Sequence, residues 1–303
     1  MISKLSLETS EILGHGAMLL FSLCVSVSYI LGALVANDIE PGAITAARFL
    51  IGAIVMGALL FFSRSLNKRN FKKPWRFFIL GLSIVIYFVL MFEALKTASS
   101  LSLAVIFTLT PFIALFFEYF LNKTVTFRSF LAISLGAMGA IWVIFEGDIE
   151  NLLAFKIGYG ELLFFWGCVG HALYAILIPV LNHGENAASQ TFGTLSAGFL
   201  LLILFFTNDV IKTSWVTLSP LIWITIIYLA TIATAFTFFL IQFAAKRISA
   251  SKVMAYTYAV PFWVALGEIT INSRFPNSNI IFGGLIIAFA LSMLISDNTK
   301  AKI

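Results

Sequence analysis

Apolar runs of about 20 residues, the length of helix that crosses a hydrocarbon core, recur along the whole chain. Of the 303 residues, 60% are hydrophobic and only 11% charged, with 32 phenylalanines and a mean hydropathy of +1.01. That leaves too little polar surface to cover a soluble globule. A transmembrane barrel would alternate apolar and polar residues every second position, which these continuous runs do not. Helices remain, because a backbone in lipid must satisfy its hydrogen bonds within each segment. The expected fold class is an all-α polytopic membrane protein.

Polar breaks divide the chain into ten expected spans, beginning near Ile12, Pro41, Arg76, Ser99, Phe127, Gly158, Ala188, Ser219, Ala250 and Ser278. Cytoplasmic loops carry the excess of Lys and Arg. With the N-terminus inside, fourteen basic residues fall on the inner side and four, Lys96, Lys156, Lys212 and Arg274, on the outer. Both termini are therefore expected in the cytoplasm. The same scatter of basic residues through short loops excludes a nucleic-acid footprint, despite a net charge of +5. Cys24 and Cys168 stand alone in apolar runs without CxxC or histidine spacing, so no disulfide or metal site is expected. The first apolar run is longer than a signal-peptide core and lacks a small-residue cleavage site, so it is expected to stay as an anchor.

One stretch is used twice. ALKTASSLSLAVIFTLTPFIALFFE returns 150 positions later as AAKRISASKVMAYTYAVPFWVALGE, placing Ala94, Lys96, Ser99, Pro111, Phe112 and Glu118 on Ala244, Lys246, Ser249, Pro261, Phe262 and Glu268. A second match, shifted by 144, lays Gly14, Gly16, Leu19, Phe21, Cys24 and Val25 on Gly158, Gly160, Leu163, Phe165, Cys168 and Val169. The chain therefore reads as a duplication, residues 1–152 and 153–303. A five-helix unit has an odd number of crossings, so its second copy enters the membrane upside down. Two inverted five-helix repeats around a central cavity is the architecture of alternating-access transporters.

The GHGAMLLFSL start, the second-span AARFLIGA and the paired helices TPFIALFFE and VPFWVALGE, in that order, resemble the drug/metabolite transporter superfamily, specifically its EamA-type ten-helix permeases. The resemblance runs from about Gly14 to Ser296. It implies a carrier of small organic metabolites in the inner or plasma membrane, an exporter or exchanger of amino acids and related compounds. It also implies a basket of helices whose first, third, fourth, sixth, eighth and ninth spans line the cavity. The seventh span has no arginine where Arg48 sits in the second, so that charge lies outside the repeat.

Arg48 is the sharpest candidate. An arginine at the centre of a span costs about 2.5–3.5 kcal/mol on insertion scales, and such residues usually face the bundle interior with a partner. It lies about 10 Å below the outer surface at 1.5 Å per residue from Pro41. Glu93, Glu161 and Glu268 fall in the same outer half, and one of them is expected to pair with it. His171, well inside the sixth span, is a candidate for substrate contact or for proton relay with Glu161. Tyr87 and either Tyr258 or Thr257, which lie on different faces of one helix, are candidates for the cavity wall. Pro111 and Pro261 remove a backbone hydrogen bond each, freeing the carbonyls of Phe107 and Thr257, and are candidate hinges. Glu118 and Glu268 follow their prolines by two turns, near opposite membrane surfaces, where a neighbouring cation is expected: Lys123 or Arg128 for the first, Arg274 for the second. His15 and His183 are expected at the interface.

No nucleophile and base pair, phosphate loop or metal cluster is legible, and the four aspartates, Asp38, Asp148, Asp209 and Asp297, are expected in loops. Catalysis and cofactors are not expected. The expected partners are a small-molecule substrate and the lipid bilayer, with proton coupling open and monomer or homodimer undecided. Uptake, a membrane enzyme acting on lipid-linked substrates and a non-transporting receptor or scaffold are the competing readings.

Overall fold

The computed structural model describes residues 2–35, 37–98, 100–121, 125–263, 266 and 278–296, apart from the side chains of 2–9, 29–30, 32–34, 68, 100 and 101. Among them there are helices and turns and no strand. In chain order the helices are α1 Ile2–Val35, α2 Pro41–Phe62, α3 Trp75–Ala94, α4 Ser100–Phe107, α5 Thr110–Phe120, α6 Phe127–Ile144 and α7 Ile149–Leu153. They continue with α8 Tyr159–Val180, α9 Ala187–Lys212, α10 Pro220–Ala230, α11 Thr237–Ala245, α12 Ala250–Ala255 and α13 Ser278–Ile295. A π-type segment, Thr231–Phe236, joins α10 to α11.

Nine helical stretches among the described residues are long and apolar enough to cross a membrane. The protein is a multi-pass, all-helical membrane protein. The segment expected as the ninth span starts with α12 and stays helical through a 3-10 turn at Tyr256–Tyr258 to residue 263; Glu268 and Arg274, beyond it, lie outside the described residues. Several helices begin where the sequence provides a cap. Thr126, Asn186 and Ser249 side chains accept from Ser129, Ser189 and Lys252 backbone N–H groups, and Pro41 and Pro220 open helices at positions that need no donor. Outward faces remain apolar, with Ile54, Leu204 and Phe289 each exposed, as a lipid solvent permits.

Helices pack across the two halves: α2 on α9, α6 on α13, α5 on α12, and α3 on α8 matched by α1 on α11. Exchanging one half for the other maps these pairs onto themselves. In the α3–α8 contact the backbones meet so closely that a Cβ on Gly170 would stand 2.6 Å from the Ser83 carbonyl oxygen; where α3 meets α9, one on Gly81 would stand 2.8 Å from the Gly198 nitrogen. Small residues at helix crossings are how membrane helices gain dispersion contacts without a hydrophobic drive.

Both copies of the repeated stretch tighten before their proline. Between α4 and α5, Thr108 N–H donates to Val105 and Leu109 N–H to Ile106, and Pro111 sits in the first turn of α5. In the second copy the 3-10 turn Tyr256–Tyr258 precedes Pro261. The break leaves carbonyls that other elements take up: Tyr258 Oη donates to Thr108 O at 3.2 Å. One loop assignment changes. α9 kinks at Phe206 and continues to Lys212, which places Asp209 in its last turns rather than in a loop, because the helix ends only where Thr213 turns extended.

Candidate functional site

Between the halves lies a cavity with about 50 Å³ of room for water centres. Its wall comes from α1 (Phe21, Val25, Ser28), α2 (Arg48), α3 (Tyr87, Phe88, Met91, Phe92) and Leu95 just after it, and α4 (Leu103, Phe107). The second half contributes His171 of α8, Leu229 of α10, Ala233 of the π segment, and Thr237, Phe238 and Ile241 of α11. The wall is apolar and aromatic, with few polar groups, the usual make-up of a small-molecule site.

Arg48 is 1% exposed. Its Nε and Nη2 donate to Thr234 Oγ1 at 3.2 and 3.0 Å. The guanidinium lies over the Phe88 ring at 4.1 Å and near the Phe92 ring at 5.8 Å, while Nη1 has no hydrogen-bond partner among the described residues. Thr234 stands within the π segment, whose wider turn sits at the level of the arginine; such turns are frequent at functional sites. His171 stacks on Tyr87 with ring centres 4.4 Å apart and on Phe107 at 5.6 Å, and its Nδ1 likewise has no hydrogen-bond partner among the described residues. The structure thus brings Arg48, Tyr87 and His171, three residues separated widely in sequence, to one wall.

The remaining candidates stand elsewhere. Glu93 pairs with Lys96 at 3.0 Å, as does Glu40, and all three are partly exposed. The Glu161 carboxylate accepts from Gly158 N–H at 2.9 Å, capping α8 at its positive end. Neither is therefore the partner expected for Arg48; a hydroxyl and two rings take that place, and Glu268 lies outside the described residues. Tyr258 packs on Gly136 and reaches Thr108, and Thr257 Oγ1 donates to Met254 O, so neither lines the cavity. Pro111 and Pro261 are not part of its wall either. The described part of the expected ninth span is accordingly absent from the wall, and α2 takes its place through the length of Arg48.

Glu118, 3% exposed, accepts from Ser251 N–H at 3.2 Å, binding the end of α5 to the start of α12 across the halves. Arg128 donates to Ser296 Oγ, and Lys123 lies outside the described residues. His15 is buried rather than interfacial, because Tyr256 Oη meets its Nδ1 at 2.9 Å.

The two ends of the bundle differ. At one, Arg76 and Glu185, both nearly inaccessible, pair at 2.7 Å; Arg76 also donates to Leu181 O, and Lys246 Nζ donates to Glu185 O at 2.7 Å. Burial pulls the Lys246 ammonium down to about 8, against the attraction of Glu185 and with the repulsion of Arg247. At the other end, the Lys96 pairs with Glu40 and Glu93 are exposed to solvent and worth little. No group of three His, Cys, Asp or Glu able to hold a metal occurs among the described residues.

Comparison with known proteins agrees with this architecture. The model of the EamA-like transporter family matches residues 12–145 and again 158–296. Over 277 residues, covering 90% of both chains, the protein is 25% identical to the uncharacterized transporter YyaM of Bacillus subtilis (strain 168). It is 22% identical over 279 residues to an uncharacterized transporter of Archaeoglobus fulgidus, covering 90% of this chain and 93% of that one. A solved crystal structure superposes with a TM-score of 0.72 at 18% identity, covering 94% of this chain and 96% of the other, which speaks for the fold alone.

Proposed function

The chain belongs to the EamA-like transporter family, and from that premise we propose that it is a secondary carrier exporting or exchanging small organic metabolites by alternating access. Its two halves are inverted five-helix repeats, and both termini lie in the cytoplasm. The observation that carries this reading is the cavity itself, whose wall is drawn from both halves. The basic end bearing Arg76, Lys246 and Arg247 is then the cytoplasmic one.

A buried ion pair between Arg76 and Glu185 joins the two halves at the cytoplasmic end, whereas the solvated Lys96 pairs at the opposite end lie within the first half. Rocking of the halves breaks the Arg76–Glu185 tie and opens the cytoplasmic end, with the 3-10 turns before Pro111 and Pro261 as the points of bending. The present volume accommodates only a few waters, so loading requires the wall to part. Purified protein reconstituted in liposomes is expected to move at least one member of a broad metabolite panel down an imposed solute or proton gradient. Accumulation in vesicles of known orientation gives the direction, and a panel that stays put under every gradient overturns the reading.

A further inference from the structure

We propose that the cavity selects monoanions, namely organic acids bearing one carboxylate on an apolar body, and that Arg48 is the group that binds the carboxylate. The inference rests on the carrier reading and specifies its substrate class. The guanidinium is fully enclosed, its described partners are one hydroxyl and two aromatic rings, and Nη1 is left without a described partner at the wall of the cavity. A buried cation without a counter-charge is costly, and removing that cost takes an anion. Glu93 and Glu161, the acids closest to the expectation, are held by Lys96 and by the α8 N-terminus. A carboxylate entering the cavity would neutralise the guanidinium and could take the planar, charge-assisted hydrogen bonds that guanidinium offers.

Charge balance narrows the class further. No Asp or Glu among the described residues lines the cavity, so an ammonium group would find no carboxylate there, and a zwitterionic amino acid would strand its positive end. With one cation among the described residues of the wall, a dianion would carry uncompensated charge between the halves. Phe21, Phe107, Leu103, Met91 and Ile241 provide the apolar surface for the rest of the molecule. A loaded carrier would then be neutral at its centre, which suits a site that must pass between two closed halves.

The test uses the full chain in nanodiscs at neutral pH, with calorimetric or thermal-shift titration of matched probes. These are straight-chain and phenyl-bearing monocarboxylates such as hexanoate and 3-phenylpropanoate, their amides, and the amino acids norleucine and phenylalanine. At least one carboxylate is expected to bind about tenfold or more tightly than its amide and its amino acid, the worth of a charge-assisted hydrogen bond. Arg48→Gln should level carboxylate and amide, while Arg48→Lys should keep the preference. The unliganded Arg48→Gln protein should melt no lower than wild type, since it loses a buried uncompensated charge. Equal binding of carboxylate and amide, no carboxylate binding, or a less stable Arg48→Gln variant with unchanged selectivity would overturn the inference, the last by reducing Arg48 to an anchor for the π segment. Liposome flux separates the two ideas. If neutral or zwitterionic metabolites cross and carboxylates neither bind nor cross, the carrier stands and the anion site falls; if carboxylates bind and nothing crosses, the reverse holds.

Discussion

Single side chains at the basic end set how stability depends on pH. Lys246 has its ammonium held down to about 8 by burial, so between that value and its ordinary 10.5 the unfolded chain binds more protons than the folded one. Stability contributed by this group therefore rises with pH across that window, and the burial penalty is complete below it. Thermal unfolding in detergent from pH 7 to 10 should show wild type gaining on Lys246→Met as pH rises; a difference that stays flat would remove Lys246 from the account. The residue scale also shows how far sequence reaches. Arg48 and His171 are conspicuous because charge and imidazole are rare inside apolar runs, and Tyr87 is one aromatic among many. That the three share a wall depends on α2, α3 and α8 meeting, which no local pattern states. The acids expected to pair with Arg48 are engaged elsewhere for a local reason that the sequence does contain. Glu93 has Lys96 three residues on, one helical neighbour away, and Glu161 stands three residues after Gly158, the spacing of a helix-start cap. Thr234 carries no such signal, since threonines are ordinary in a span and Thr231 and Thr237 stand three residues to either side of it.

Helices here meet through positions where a side chain has no room, and that gives a sharper test than hydrophobicity. A methyl group on Gly170 of α8 would strike the Ser83 carbonyl of α3, a backbone atom that cannot rotate away. Gly170→Ala is expected to destabilise the fold by about 1–3 kcal/mol as an overpacked contact. Gly16 of α1 has nothing within 4 Å of the same virtual atom, so Gly16→Ala should be neutral or gain up to about 1 kcal/mol of helix propensity. Denaturant titration of both variants in the same detergent decides the matter, and equal losses would mean that the α3–α8 contact is looser than described. The spans themselves are legible because lipid demands their length and composition. Their internal geometry is less so: the extension of α9 past Phe206 and the wide turn within α10–α11, both packed against α2, coincide with no breaker residue in the sequence.

For the molecule as a whole, the buried pair of Arg76 with Glu185 ties the loop after α8 to the start of α3 at the basic end. Removing one partner leaves the other buried and unpaired, so Glu185→Leu is expected to cost about 3–5 kcal/mol, and the double change Arg76→Met with Glu185→Leu to recover much of that loss. If both variants melt alike, the pair does not hold this end. Orientation is checked by a reporter fused after the C-terminus, which should be active only on the cytoplasmic side. The two halves are not interchangeable in one respect. The π segment Thr231–Phe236 has no counterpart in α3, which runs as a regular helix over the matching positions. A π turn holds one residue more than an α turn, so deleting a single residue from that segment should return it to α geometry with Thr237, Phe238 and Ile241 still on the cavity wall, while displacing the Thr234 hydroxyl that meets Arg48. Selectivity in the proposed carrier is therefore open to revision by insertion and deletion as much as by substitution, because the hydroxyl that holds Arg48 is presented by one extra residue of chain length.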